Sequence, residues 1–242
     1  MRRALSLMLL SLLPAIPSIA QLDDVLKRAE NTLNSQHHDA SGLSDTKISS
    51  GLREALQVSA SRAVAHTGRP DGFFKNQAIK IMLPDKLRSV GSGLRMVGMG
   101  AKVDELEVGM NRAAEQATPA AKAIFLNALQ HMTFADARQI LTGGDTAATD
   151  FFKRTSTPEL TTAFSPVVKR SMARVGVVKQ YNQMLQSAPG GAALAGSFDV
   201  NKYVLGKTLD GLFYTLGEEE KKIRRDPAAQ TTSLLKEVFG RR

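Results

Sequence analysis

Apolar residues recur along this chain at three- and four-residue intervals, the spacing of helical faces. Leu22, Val25, Leu26, Ala29 and Leu33 predict a short amphipathic helix over 22–34, followed by a polar linker over 35–43. A longer helix opens at Ser44, with Ile48, Leu52, Ala55, Leu56, Ser59 and Ala63 on one side. It stops at Gly68, because Arg69-Pro70-Asp71-Gly72 supplies proline and glycine where a helix needs neither. Ile79, Ile81 and Leu83 then alternate with Lys80 and Met82, a period-2 stretch too short to imply a sheet.

Helices follow one another from Pro84. The pattern predicts them over 85–97 and 102–117, with Pro119 in the first turn of the next. Ala121, Ile124, Phe125, Ala128, Leu129 and Met132 form the inward stripe of that next helix. Thr133 with Asp136 reads as a capping pair for 134–141, and Gly143-Gly144-Asp145 is a stop and a start. A helix over 146–155 buries Phe151 or Phe152, and a separate one opens at Thr157-Pro158, with a kink or division at Pro166. Gly176 breaks the chain before 177–185, and 187–196 is an Ala/Gly/Pro loop. Asp199 caps a long helix through Arg225, and 230–239 forms a last docking helix. The fold class expected is all-α: a compact, bundle-like single domain of many helices with at most one very short strand segment.

The first twenty residues have a different logic. Arg2 and Arg3 precede an apolar run from Ala4 to Ile16, and Ser18-Ile19-Ala20 places small residues before Gln21. This is the layout of a cleavable secretory signal, too short in its apolar part to span a bilayer. The expected organisation is therefore a signal peptide over 1–20, an N-terminal helix and linker over 21–43, and an all-α domain over 44–240. The expected location is the periplasm or the medium. The absence of cysteine removes disulfides, thiol catalysis and thiolate metal sites.

The chain is basic, with 32 Lys+Arg against 23 Asp+Glu; loss of Arg2 and Arg3 would leave 30 against 23, a charge of +7. No acid lies between Glu159 and Asp199, where Lys169, Arg170, Arg174 and Lys179 make a candidate anion-binding face. A solvated helix face is the plainer account of the same four residues. Lipid, cell-wall polymer or an envelope protein are the partners considered. Nucleic acid is disfavoured by the leader and by an aromatic content of 5%.

Signatures of chemistry are sparse. Ser44-Asp45-Thr46-Lys47 and Ser233-Leu234-Leu235-Lys236 both fit S-x-x-K, without the companion motifs of a serine acylase. His37-His38-Asp39 lacks helical metal-ligand spacing, and Gly93 to Gly98 lacks the lysine of a phosphate loop, so no metal and no cofactor is expected. Asn111, Arg112 and Glu115 form a polar group on an alanine-rich helix, and Arg69 and Asp71 of the Pro/Gly turn join it if the fold brings them near. Glu218–Glu220 against Lys221, Lys222, Arg224 and Arg225 reads as ion pairing on an exposed helix.

Five strings together resemble a bacterial exported family catalogued as domain of unknown function four-one-nine-seven. They are Gly68-Arg69-Pro70-Asp71-Gly72-Phe73, Met110-Asn111-Arg112-Ala113-Ala114-Glu115, Gly143 to Thr149, Leu209-Asp210-Gly211-Leu212-Phe213, and Glu218 to Arg224. The resemblance implies an exported, mostly helical protein and brings no reaction or ligand. The functional expectation is a non-catalytic envelope protein binding an apolar or anionic amphiphile, or a partner protein, through a helical surface. Met99, Met110, Met132, Met172 and Met184 are candidates to line an adaptable pocket. The alternative is a cell-envelope hydrolase using Glu115 or Asp71.

Overall fold

Leu52, Ala55, Leu56, Ala60 and Ala63 bury one face of α1 (Asp45–Gly68), as their spacing requires. The computed structural model describes residues 45–174, 176–187 and 198–226. The expected leader, the helix over 22–34, the linker, most of the loop over 187–196 and the helix over 230–239 lie outside the described residues.

After α1 the chain crosses 69–84 without regular structure and enters α2 (Asp85–Met96) and α3 (Gly100–Ala117). A 3₁₀ turn (Thr118–Ala120), α4 (Ala121–Gln130), α5 (Phe134–Thr142), α6 (Ala147–Arg174), α7 (Val177–Ser187) and α8 (Val200–Arg225) complete the order. The described residues are overwhelmingly helical and contain no strand. The long helices α1, α3, α6 and α8 form the body, with α8 packed along both α1 and α6 and α3 along α6. Phe125 sits where they meet, its ring 4.8 Å from Phe152 and 6.2 Å from Phe213. Each such ring stabilises the fold by about 2–3 kcal/mol through area removed from water.

Local signals end the helices as expected. Thr133 and Asp136 form a reciprocal capping box at α5, Asp199 accepts from Lys202 N at α8, and Gly176 takes φ 70° between α6 and α7. One boundary is corrected. No helix opens at Thr157-Pro158; α6 runs through both Pro158 and Pro166 as one element of 28 residues. Each interior proline removes a hydrogen bond and costs roughly 3 kcal/mol. Phe151, Phe152, Leu160, Phe164, Val168 and Met172, all buried on both sides of Pro158, offset that cost. Both Phe151 and Phe152 are buried, where one was expected.

The period-2 stretch is also not a strand. Ile79, Ile81 and Leu83 do alternate, buried, with half-buried Lys80 and exposed Met82, but they are laid along α3 rather than paired in a sheet. Helix side chains replace the missing strand. Glu107, Asn111 and Glu115 recur every four residues on one face of α3 and are all buried. Glu115 Oε1 accepts from Phe73 N and Phe74 N, Asn111 pairs with both backbone groups of Ile81, and Glu107 accepts from Leu83 N. The 73–83 segment thus runs antiparallel to α3, fixed by a polar ladder.

Candidate functional site

The Pro/Gly turn and α3 meet at Arg112. Its Nη2 donates to Asp71 Oδ1 and its Nη1 to Glu115 Oε2, each at 2.6 Å. Asp71 also takes Lys75 Nζ at 2.8 Å. Lys75 first, then Arg112, hold the Asp71 carboxyl below the usual carboxylate range, while Glu115 and then Asp71 make the Arg112 guanidinium harder to deprotonate. Glu115 is left with no vacant side: two amides occupy one oxygen and Arg112 the other. Arg112 and Lys80 both lie over the Phe74 ring, at 5.8 and 4.7 Å from its centre.

Of the polar residues expected to gather, the fold joins Asp71, Arg112 and Glu115. Asn111 stands one turn away and serves Ile81, and Arg69 is exposed at the same turn, outside the network. Asp71 has φ 65°, which aspartate tolerates better than most residues, and Gly72 follows because a side chain there would strike the His66, Thr67 and Arg69 carbonyl oxygens.

A second clamp was not foreseen. Glu219 and Glu220 are buried, not exposed on an ion-pair surface. Glu220 accepts from Ala148 N and Thr149 N at 2.9 Å each, satisfying amides of the first turn of α6 from a neighbouring helix. Arg224, whose side chain is buried, holds the same carboxylate at 2.9 Å and donates to Ile140 O. Asp145 is paired with Arg225. In the fourth string, Gly211 lets α8 press on the Phe73 ring, leaving no room for a β-carbon. The strings that suggested a family are therefore mutual clamps: turn 68–73 on 110–115 and on Gly211, and 143–149 on 218–224.

Behind the first clamp runs an open groove between the 69–85 segment and α8. It comprises two hollows of about 460 and 500 Å³ that share Ala78 and Tyr214. Tyr214, 49% exposed, stands at the junction, and Met82, 46% exposed, at one end. Tyr203 donates its hydroxyl to Met82 O at 2.9 Å, and burial chiefly, with the Asp85 charge, pushes that phenol's pKa up. Ions of both signs edge the groove and are mostly paired, as Lys75 with Asp71, Arg88 with Asp85 and Lys222 with Glu219. Neither Tyr214 nor this groove was foreseen in the sequence.

The four expected anion-binding residues, Lys169, Arg170, Arg174 and Lys179, are all exposed at the α6–α7 end, and no carboxylate among the described residues lies within ion-pair distance of any. The methionines do not line a pocket as a set: Met110, Met132 and Met172 are core residues, Met99 packs partly buried against them, and the side chain of Met184 lies outside the described residues. Among the described residues no three metal-ligating side chains cluster, and no helix is long and apolar enough to cross a membrane.

A family model described as "Protein of unknown function (DUF4197)" matches residues 42–240, and the chain belongs to that family. No curated protein and no solved structure matches it.

Proposed function

We propose that this DUF4197 protein is an exported, non-catalytic envelope protein that holds a segment of a partner polypeptide in the groove between 69–85 and α8. The observation that carries the reading is the placement of Tyr214 and Met82. Two of the large apolar side chains left in solvent lie in one groove whose rim is polar and mostly paired within itself. Exposed aromatic and methionine side chains inside a charged rim are the composition of a protein-binding surface. A partner with charges of both signs suits such a rim better than a purely anionic or purely apolar ligand. The core positions of Met110, Met132 and Met172 count against an amphiphile carrier.

The hydrolase alternative is poorly served by its two carboxylates. A general acid must hold a proton near neutral pH, whereas Asp71 is held ionised by Lys75 and Arg112. Glu115 gives one oxygen to the Phe73 and Phe74 amides and the other to Arg112.

A photo-crosslinking residue placed at Tyr214 or Met82 in the producing cell tests the reading. It predicts the same discrete polypeptide conjugate from both positions and none from Phe134, which is exposed elsewhere. No conjugate, or an equal one from Phe134, contradicts it. The four uncompensated cations favour a second contact, with an anionic membrane surface. Vesicles rich in phosphatidylglycerol should then bind the chain at low salt, and replacing all four cations with alanine should abolish this.

A further inference from the structure

Four glutamates of the described residues are buried: Glu107, Glu115, Glu219 and Glu220. Three have a cation, respectively Arg112, Lys222 and Arg224. Glu107 has none. It is 6% exposed, and its carboxylate takes a single long hydrogen bond, 3.4 Å from Leu83 N. An ionised carboxylate removed from water costs several kcal/mol unless a partner charge and hydrogen bonds offset it. Among the described residues the Leu83 amide is the one hydrogen-bond partner that carboxylate has.

What lies in front of Glu107 is space. It lines a hollow of about 260 Å³ with Leu83, Gly91 and Val103 as apolar walls and Met82 at the lip. Gly91 belongs there because a β-carbon would meet Leu83 Cδ1 at 2.6 Å. The two cations on the rim are already engaged, Arg88 with Asp85 at 2.9 Å and Arg95 with Asp104 at 2.7 Å. Arg88 and Arg95 each have an aspartate of their own, which leaves Glu107 as the buried carboxylate of the hollow with no cation paired to it among the described residues.

We propose that Glu107 receives an organic cation, an ammonium or guanidinium group on an aliphatic stem, entering the hollow beneath Met82. The stem packs on Leu83, Gly91 and Val103, and the charged head donates to the carboxylate. A lysine or arginine of a polypeptide and a free alkylamine share this chemistry. The hollow opens off the groove at Met82, Leu83 and Arg88, so the inference deepens the groove reading by giving the partner a basic anchor residue.

The test is a titration of the labelled mature chain, followed through the backbone amides of Leu83, Gly91 and Val103. The probes are Nα-acetyl-lysine N-methylamide, the matched norleucine compound, n-butylammonium chloride and sodium chloride at equal ionic strength. Both organic cations should shift those amides, with the lysine compound bound at least about tenfold more tightly than norleucine, the discrimination of one charged hydrogen bond. Glu107→Gln keeps an acceptor for Leu83 N and should erase that difference. Equal shifts from norleucine, a lysine response surviving in Glu107→Gln, or no response to either cation would overturn the proposal. Tripeptides with central lysine separate the two readings. If they bind no better than butylammonium and ignore Tyr214→Ala, the groove fails while the cation site stands; if they need Tyr214 but not Glu107, the reverse holds.

Discussion

Asn111 and Ile81 exchange a reciprocal pair of hydrogen bonds. Oδ1 accepts from Ile81 N at 2.9 Å, and Nδ2 donates to Ile81 O at 2.8 Å. A helix side chain thereby does for an extended backbone what a neighbouring strand would do. Asn111→Ala leaves a buried amide and a buried carbonyl without partners, each costing about 1–3 kcal/mol. We expect chemical denaturation to show a loss of roughly 3 kcal/mol. Asn111→Asp keeps the acceptor but turns an oxygen toward the Ile81 carbonyl, and should be no better than alanine.

Buried glutamates divide into two classes by their partners. Glu115→Gln and Glu220→Gln each take a buried carboxylate away from its arginine, half-buried Arg112 or buried Arg224, and should destabilise the chain by about 2–4 kcal/mol. Glu107→Gln loses no ion pair and removes an uncompensated charge, so it should raise stability by about 1 kcal/mol. Thermal melts of the three variants at neutral pH check the opposite signs.

Two glycines of α8 offer a contrast of space alone. A β-carbon at Gly211 runs into the Phe73 ring, while at Gly206 it meets nothing within 4 Å. Gly211→Ala should cost about 1–3 kcal/mol by overpacking. Gly206→Ala should stabilise by about 0.5–1 kcal/mol through helix propensity. Denaturant midpoints that move in opposite directions with unchanged slopes would show both as changes of stability.

How much of this was legible follows the reach of each signal. The Ala55, Leu56 and Ala63 stripe, the Thr133–Asp136 box and Gly176 are local, and each appears where the sequence pattern puts it. The passage of α6 through Pro158 is not local. Burial of Phe152 and Leu160 on other helices decides it. The four-residue recurrence of Glu107, Asn111 and Glu115 was present in the sequence, but its meaning depends on a backbone 24 to 42 residues away. Glu220 looks like one more surface acid until α6 docks its first turn against it. The joining of Arg112 with Asp71 and Glu115 was open to anticipation because arginine needs carboxylates; Arg69 has no such tie.

Asp71 gives a pH signature. Its carboxyl is held below the ordinary aspartate value by Lys75 and Arg112, so its stabilising contribution is full above that ordinary value. The contribution disappears as pH falls through the lowered folded-state pKa. Asp71→Asn, which suits φ 65° nearly as well, should be less stable than the parent at neutral pH, with the gap closing on acidification. Paired denaturation curves across acidic pH read this directly, and a constant gap would contradict it.

The groove exists as a preformed surface only if α3 holds the 73–83 segment in place. Amide hydrogen exchange at Ile81 measures that most directly. The account predicts protection approaching that of core helix amides such as Phe164, lost in Asn111→Ala while Phe164 stays protected. Exchange of Ile81 in the unaltered chain at the rate of an open turn would contradict it.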